Sequence, residues 1–206
     1  MRTKFEHDGL KGSLIERVRR KQIVTGAIST IAANGLAHSS LAKIAADVGV
    51  SRGVISYHFS GRDELIEQVI NALFVETNRF VKARVDAVED AAAKLRAYIE
   101  ASFEFMIDNR DNFVALVDIW GSFGSPEAKQ RFNATMYDPC RRHVERLLRQ
   151  GQDSGAFRAF DPSTLATTIQ GAIDGVMLQW VFDEHAVDLT GCAAELVAIF
   201  DLATRA

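Results

Sequence analysis

The sequence is poor in residues that mark a secreted, membrane-bound or β-sheet protein. Its 206 residues include three Pro and two Cys, and few runs alternate between β-branched apolar and polar residues. This scarcity favours an all-α fold. No apolar run approaches the length of a membrane span, and residues 1–13, MRTKFEHDGLKGS, lack the apolar stretch of a signal peptide. We therefore expect a cytoplasmic protein without a membrane partner.

The cysteines and histidines form no recognisable metal or catalytic pattern. Cys140 and Cys192 lie far apart without metal-ligand spacing, which indicates two reduced, buried thiols, a redox-sensing pair being the alternative. Residues 183–185, Asp-Glu-His, also lack metal-site spacing and are interpreted as an exposed helix end. The chain has no Gly-rich phosphate loop, no G-x-S-x-G and no H-E-x-x-H motif. We expect no enzymatic activity, no cofactor and no metal.

Charge is distributed unevenly along the chain. Residues 1–62 contain ten Lys and Arg against four acids, a net charge of +6, whereas residues 63–206 contain 14 against 23, a net charge of −9. A basic N-terminal part on an acidic body suits a protein that presents one end to phosphates. Small basic N-termini are common, so the charge supports DNA binding only together with a DNA-reading motif.

Such a motif is present in residues 40–66, SLAKIAADVGVSRGVISYHFSGRDELI. Small or apolar residues share one helical face at Leu41, Ile44, Ala45 and Val48. Gly49 can end this helix in the left-handed conformation. Ser51 can cap the next helix by accepting from its free N–H groups. Two short helices joined in this way form a helix-turn-helix, whose second helix enters the major groove of DNA.

This region resembles the N-terminal DNA-binding region of the TetR family of bacterial repressors, over about residues 17–70. The matching residues are Ile44, Ala45, Gly49, Val50, Ser51, Gly53, Tyr57, His58, Phe59, Asp63 and Leu65. Beyond this region only the helical layout and the length resemble the family. The resemblance implies a C-terminal part that binds an inducer.

The predicted architecture is all-α, with a three-helix helix-turn-helix domain at 1–62 and a larger helical ligand-binding and dimerisation domain at 63–206. A capping box at Ser13 and Glu16 starts the first helix, which ends at Asn34. A second box at 60–63 opens a long fourth helix. The remaining helices are predicted at about 91–108, 111–120, from Pro126 to 150, 162–182 and 190–204.

The DNA-reading residues are predicted from their positions in the motif. The candidates are Ser40, Lys43, Ser51, Arg52, Gly53, Val54, Ser56, Tyr57, His58 and Arg62. Arg52 is the main candidate for base reading, since its fork can pair with guanine, and a phosphate contact is its alternative. Val54 can touch a thymine methyl. The resemblance implies that Tyr57, His58 and Arg62 contact the phosphate backbone, while Tyr57 and His58 also suit a structural role.

The larger domain carries candidates for a ligand site and an interface. The ligand-site candidates are Phe103, Met106, Phe113, Leu116, Trp120, Phe123, Met136, Tyr137, Asp174 and Met177. Acids interrupt these apolar stretches at Glu104, Asp118 and Asp174, and an acid among aromatics could hold a lipophilic cation. The same spacing also fits an ordinary core. The interface candidates on the last two helices are Leu165, Ile169, Ile173, Leu196, Val197 and Phe200.

These features together predict a sequence-specific transcriptional regulator. The expected form is a homodimeric repressor that a small apolar or cationic-lipophilic inducer releases from a palindromic double-stranded operator. The alternative is a DNA-binding activator or architectural factor without a small-molecule ligand. The two differ in one observation, because the alternative needs no cavity in the larger domain.

Overall fold

A computed structural model of the chain describes residues 14–206, and this part is helical without a named β-strand. The all-α prediction is therefore confirmed, while Ser13 of the predicted first capping box lies outside the described residues. The helices are α1 Leu14–Asn34, α2 Leu41–Val48, α3 Arg52–His58, α4 Arg62–Asp86, α5 Ala91–Asp108, α6 Arg110–Gly121, α7 Pro126–Phe132, α8 Asp138–Asp153, α9 Pro162–Phe182 and α10 Leu189–Thr204. None of the helices described here is long and apolar enough to cross a membrane.

The chain divides into two compact units between Val69 and Ile70, within α4. The sequence analysis predicted the domain boundary after Arg62, at the start of α4. The first two turns of α4 belong to unit 1, and they bury Leu65 and Val69 completely. Glu64 accepts from the backbone N–H of Ser60 at 2.7 Å, so the N-terminal cap of α4 uses this residue rather than the predicted Asp63.

The helix-turn-helix of unit 1 has the predicted caps. Ser40 accepts from the backbone N–H of Lys43 at the start of α2, and Gly49 ends α2 with φ of 73°. Ser51 accepts from the backbone N–H of Val54 at the start of α3. These caps satisfy helix-end groups that would otherwise need water, and they fix the turn between the two helices.

The core of unit 1 depends on a close crossing of α1 and α2. A Cβ atom on Gly26 would lie 2.2 Å from a methyl carbon of Val48, so only glycine fits at this crossing. The Thr30 hydroxyl donates to Asp47 across the same pair of helices at 3.0 Å. The crossing sets the position of α2, on which α3 packs.

Arg20 of α1 fixes the end of α3. Its guanidinium lies 4.4 Å from the ring centre of Phe59, donates to the carbonyl of His58 and pairs with Glu64 at 3.1 Å. The hydrogen bond from the backbone N–H of Ser60, followed by the one from Arg20, holds the pKa of Glu64 below its ordinary value. The C-terminal end of α3 is thus tied to α1 and α4 through the Arg20 side chain.

Replacing Arg20 by Ala is expected to lower the free energy of unfolding by about 1–3 kcal/mol, because a cation–π contact and a charge-assisted hydrogen bond are lost. Arg19 is the matched control, since its side chain donates to Gln22 on the same helix at 2.8 Å. Arg19→Ala should cost less than about 0.5 kcal/mol. Urea denaturation followed by circular dichroism measures both, and equal losses would contradict the assignment.

Unit 2 is built around α5, α8, α9 and α10. Helix α8 packs on α5 and α9, α10 packs on α5 and α9, and α6 packs on α5 and α9. The fully buried side chains include Leu95, Ile99, Leu148 and Ile169. Asp90, Asp161 and Asp188 cap α5, α9 and α10. These caps and burial positions place the helices around the aromatic residues that the sequence pattern emphasised.

The helix predicted to run unbroken from Pro126 is interrupted. A π-helical turn at Asn133–Tyr137 separates α7 from α8, and the Asp138 N–H donates to the carbonyl of Asn133. Pro139 lies just after this turn. Proline has no N–H for the carbonyl four residues earlier and its ring crowds that carbonyl, so a regular α-helix is disfavoured here. The wider turn places Met136 and Tyr137 where they contribute to a cavity in unit 2.

Candidate functional site

The exposed face of α3 carries the predicted base-reading residues. Arg52 and Ser56 are exposed, and Val54 is half-buried. Ile55 and Phe59 are 0% and 2% exposed and point to the core. A Cβ on Gly53 would meet only the Ser51 hydroxyl, at 3.6 Å, so nothing inside the protein requires glycine there. Its lack of a side chain leaves the backbone of α3 open to close approach from outside.

The flanking candidates differ in how far their own fold engages them. Ser40 and Ser51 use their hydroxyls as caps, at 3.2 and 3.3 Å from the capped N–H groups. Lys43 is exposed but pairs with Asp47 at 2.7 Å. This hydrogen bond holds the pKa of Asp47 below its ordinary value. The hydroxyls and the ammonium remain at the surface of the helix-turn-helix, where a phosphate can reach them.

The candidates that the resemblance suggested are partly structural. Tyr57 is 73% exposed, and its hydroxyl donates to Glu16 of α1 at 3.1 Å. His58 is half-buried. The Arg62 guanidinium donates to the carbonyls of Leu36 and Ser39 in the turn before α2. The sequence pattern did not identify Glu16 or Arg20 as partners of this surface, because their contacts depend on how α1 folds back.

A cavity of about 110 Å³ lies within unit 2, and we call it the aromatic cavity. A single water needs about 10–15 Å³ of such space, so this cavity can hold a small organic molecule. Seven of the ten predicted ligand residues line it: Met106, Phe113, Leu116, Trp120, Met136, Tyr137 and Asp174. The missed lining residues include Leu73, Phe74, Thr77, Asn78 and Val81 of α4, and Tyr98, Ser102, Asn112, Phe132, Cys140, His143, Gln170 and Ile173.

Three predicted ligand residues lie elsewhere. Phe103 and Met177 are each 1% exposed and belong to the core rather than the cavity lining. Phe123 packs on the Phe132 ring, 5.1 Å between centres, behind the wall. Of the three interrupting acids, Asp174 alone lines the cavity; Glu104 is exposed and pairs with Arg84 at 2.8 Å, and Asp118 is exposed.

Asp174 ends a chain of polar side chains inside the cavity wall. The Tyr98 hydroxyl donates to Gln170 at 2.8 Å, and Gln170 donates to Asp174 at 2.9 Å. Tyr137 also hydrogen-bonds to Asp174. Burial raises the pKa of Asp174 to about 6, while these hydrogen bonds and the charge of Arg141 act to lower it. Asp174 is therefore mostly an anion at neutral pH.

Asp174 is half-buried, and within residues 14–206 the charge of Arg141 acts on it without forming an ion pair. None of the ion pairs among residues 14–206 includes Asp174. Arg141 instead donates to Asn133 at 3.0 Å and lies 5.9 Å from the Tyr137 ring centre. A carboxylate that is partly removed from water without an ion-pair partner gains from a nearby positive charge. The site is thus suited to a ligand that carries positive charge.

Two polar atoms of the cavity wall lack a hydrogen-bond partner. The indole N–H of Trp120 and Nε2 of His143 are buried without a hydrogen bond. Burial is the main cause that lowers the pKa of His143, and the positive charges of Arg146 and Lys82 lower it further. Burial raises the pKa of the Cys140 thiol to about 11, which keeps it protonated and unreactive. Cys140 and Cys192 are half-buried rather than buried, and both are free.

The predicted interface residues differ in their exposure within the single chain. Ile169, Ile173 and Phe200 are 0%, 2% and 5% exposed within the single chain, so they offer no surface to a partner, and Ile173 lines the aromatic cavity. Leu165, Leu196 and Val197 are half-buried. The exposed apolar residues of these two helices are Leu178, Phe182, Ile199 and Leu202. Helical periodicity identified the apolar faces but did not distinguish their inner and outer edges.

No cluster of potential metal ligands occurs in the part of the chain that the structure describes. Glu184 forms an ion pair with Arg110 at 2.7 Å, and the backbone N–H of His185 donates to the Asp183 carboxylate at 3.0 Å. Asp183, Glu184 and His185 are all exposed. The interpretation of residues 183–185 as a helix end agrees with this arrangement.

A helix-turn-helix unit followed by a helical unit with an internal cavity defines a DNA-binding transcriptional regulator. Residues 23–69 match the family described as bacterial regulatory proteins, tetR family, and residues 91–201 match BetI-type transcriptional repressor, C-terminal. The chain belongs to the TetR family of transcriptional regulators, as its sequence resemblance predicted, and its relatives are not enzymes.

Individual relatives cover most of both chains. The HTH-type transcriptional regulator BetI 1 of Chromohalobacter salexigens is 27% identical over 180 residues, 85% of each chain. A transcriptional regulator from Pseudomonas aeruginosa PAO1 superposes with a TM-score of 0.78 at 26% identity, covering 90% of this chain and 89% of the other. A regulator from Saccharomonospora viridis in complex with choline has a TM-score of 0.77 at 22% identity, with 92% and 99% coverage. The last likeness establishes the fold alone.

Proposed function

We propose that this protein is a homodimeric repressor whose operator binding is weakened by a small organic cation held in the aromatic cavity. The observation that carries the ligand class is the half-buried carboxylate of Asp174, which lines the cavity among aromatic rings and forms no ion pair with the described residues. A site of action on chromosomal DNA accords with a cytoplasmic protein.

The DNA-binding part of the proposal assigns base reading to the start of α3. Arg52 pairs with a guanine in the major groove, Val54 touches a thymine methyl and Gly53 permits close approach of the backbone. Phosphates are held by Ser40, Lys43, Ser51, Ser56, Tyr57, His58 and the free donors of Arg62. The support for this assignment is that the side chains of Ser40, Lys43, Ser51, Arg52, Ser56 and Tyr57 are exposed, while those of Val54, His58 and Arg62 are half-buried.

In the ligand-binding part of the proposal, a negative charge attracts the ligand and the aromatic rings select its shape. A cation gains from the carboxylate of Asp174 and from the faces of Trp120 and Tyr137, an arrangement that suits quaternary ammonium groups. The choline complex of the Saccharomonospora viridis regulator makes choline a reasonable first probe. The neutral carbon isostere of choline, with tert-butyl in place of trimethylammonium, is the matched control because it has the same shape without the charge.

The mechanism follows from thermodynamic linkage. Helix α4 is continuous from Arg62 to Asp86, contributes Leu65 to the core of unit 1, and contributes Leu73 and Thr77 to the cavity wall. A ligand that binds better to one arrangement of α4 changes operator affinity, and the operator changes ligand affinity by the same factor. A ligand-free activator or architectural factor has no need of the cavity, so the cavity favours the responsive repressor.

The first experiment is isothermal titration of the purified protein with choline, longer alkyltrimethylammonium ions and the neutral isostere. We expect at least one cation to bind and its neutral isostere to bind at least tenfold more weakly, a difference of about 1.4 kcal/mol. Equal binding of the charged and neutral compounds would contradict a cation site. Repetition in the presence of operator DNA tests the linkage directly.

Cation affinity is expected to depend on pH with a known sign. A bound cation stabilises ionised Asp174, so affinity should be full well above the pKa of about 6 and fall as the pH decreases through that value. Titrations between about pH 5 and pH 8 measure this dependence. The Asp174→Asn variant should lose this step, and a profile that rises toward low pH would contradict the role of the carboxylate.

The dimer is proposed to form through the outer edges of α9 and α10. Leu178, Phe182, Ile199 and Leu202 leave 37%, 79%, 47% and 70% of their surfaces exposed, and exposed apolar residues on adjoining helices favour an isologous interface. Sedimentation of the wild type and of a Phe182→Ser, Leu202→Ser double variant tests this assignment. The wild type should sediment as a dimer and the variant as a folded monomer; a wild-type monomer would contradict it.

A further inference from the structure

A second depression in unit 2 lies between α4, α5 and α8, with a volume of about 260 Å³. We call it the basic cleft and define it by Lys82, Lys94, Arg146 and His143. Val85 and Leu147 also line it and are 2% and 6% exposed, so part of the lining is apolar. The combination of cations with buried aliphatic side chains fits a ligand that has both an anionic group and carbon.

The cleft is positive although the surrounding sequence is acidic. Residues 63–206 carry a net charge of −9. Within the cleft, Asp86 neutralises Lys82 by an ion pair. Neither Lys94 nor Arg146 takes part in an ion pair among the residues that the structure describes. Two cations without acidic partners therefore converge on one concave surface.

His143 is shared between the basic cleft and the aromatic cavity. Its Nδ1 lies 3.5 Å from the guanidinium of Arg146, on the side of the cleft. Its ring centre lies 5.8 Å from that of Tyr98, which lines the cavity, and its Nε2 is buried without a hydrogen bond. The imidazole of His143 thus lies between the basic cleft and the aromatic cavity, and its Nε2 atom has no hydrogen-bond partner.

We propose that the basic cleft binds the carboxylate or phosphate group of an organic anion through Lys94, Arg146 and His143. The guanidinium and the ammonium supply charge-assisted hydrogen bonds to the oxyanion. The anion favours the imidazolium form of His143, because the positive charges that oppose protonation are then compensated. Val85 and Leu147 contact the carbon part of the ligand.

The charge on His143 depends on every group that faces it. These groups are Lys82 and Asp86 of α4, Lys94 and Tyr98 of α5, Cys140 and Arg146 of α8, and Asp174 of α9 across the cavity. Lys82 and Arg146 disfavour the imidazolium, and Asp86 favours it. An oxyanion adds negative charge on the same side as Asp86 and therefore raises the pKa of His143.

Anion binding has a consequence for the cavity, and this consequence rests on the proposed function. An imidazolium in the shared wall repels an organic cation beside Asp174, so anion and cation should oppose each other's binding. Linkage requires the effect to be reciprocal. The regulator would then respond to the balance of two metabolite classes, a cation that favours release and an anion that restrains it.

The test of the anion site is an NMR titration of the His143 imidazole in the purified full-length protein, without DNA or cation. Inorganic phosphate, propionate and ethyl phosphate are compared with chloride at constant ionic strength. We expect a saturable rise in the pKa of His143 with at least one oxyanion and not with chloride. A stronger effect of propionate or ethyl phosphate than of inorganic phosphate identifies the carbon contact.

The specificity control compares substitutions at Lys94, which is half-buried, and at Arg146, which is exposed, with a substitution at the exposed Arg142. Lys94→Gln combined with Arg146→Gln should weaken oxyanion binding at least tenfold, whereas Arg142→Gln, at an α8 position that pairs with Asp138, should leave it unchanged. An unsaturable shift, a shift equal with chloride, or the same shift in the double variant would overturn the proposal. Because neither the operator nor a cation is present, failure here is distinguishable from failure of the proposed function.

Discussion

Arg52→Ala is expected to weaken binding to an operator selected in vitro from random duplex DNA by about 30-fold to 2 × 10⁴-fold. A bidentate arginine–guanine pair contributes about 1–3 kcal/mol of discrimination, and a symmetric dimer uses two of them. The side chain is exposed at the first position of α3 and has no role in the core. Unfolding stability should therefore stay unchanged while sequence preference at one position of each half-site is lost.

Fluorescence anisotropy with the selected operator and with single-base variants measures this loss. Lys43→Ala is the control. Loss of a phosphate contact should weaken binding by the same factor for all sequences and reduce the slope of log affinity against log salt concentration by about one. If Arg52→Ala weakens binding to the operator and to random DNA by the same factor, Arg52 contacts phosphate instead. Base reading would then have to come from another part of the surface.

Asp174→Asn is expected to reduce organic-cation affinity by about 30-fold to 4,000-fold, because removal of one charge from a buried pair costs about 2–5 kcal/mol. Asparagine keeps the shape and an oxygen that can accept from Gln170, so the wall should stay intact. Operator affinity without ligand should remain that of the wild type. The variant is thus expected to repress constitutively in the presence of the cation.

Asp118→Asn is the matched control, since this acid was grouped with Asp174 by the sequence pattern but is exposed on α6. Titration calorimetry and operator binding should be unaffected by it. If Asp174→Asn binds the cation as tightly as the wild type does, the ligand is not recognised through charge. The Asp174 carboxylate would then be only a structural part of the Tyr98–Gln170 chain.

Local signals were sufficient to predict the helix-turn-helix. Ser40, Gly49 and Ser51 act at their own helix ends, so their roles are readable from neighbouring residues. The contacts that position these helices were not readable in this way. Gly26 meets Val48, and Arg20 reaches the end of α3, only because α1 folds back on the motif.

The cavity was predicted from the apolar and aromatic residues of α5, α6 and the π-turn, which supplied six lining residues, and from the acid Asp174 of α9, which supplied a seventh. The contribution of α4 was missed because this helix was interpreted as the connection between the two domains, although it supplies Phe74, Thr77 and Asn78 to the lining. Ile173 was assigned to the outside because one apolar helix face can serve a core, a cavity or an interface equally. The effect of Pro139 was a readable signal that the prediction of one long helix overlooked.

The central claim is that the aromatic cavity and the operator surface are thermodynamically coupled. The most direct measurement is operator affinity, by anisotropy, across a titration of the tightest-binding alkyltrimethylammonium ion, with Asp174→Asn in parallel. The account predicts that saturating cation weakens operator binding of the wild type, with a matching loss of cation affinity on DNA, and leaves the variant unchanged. Saturable, Asp174-dependent cation binding that leaves operator affinity unchanged would contradict it.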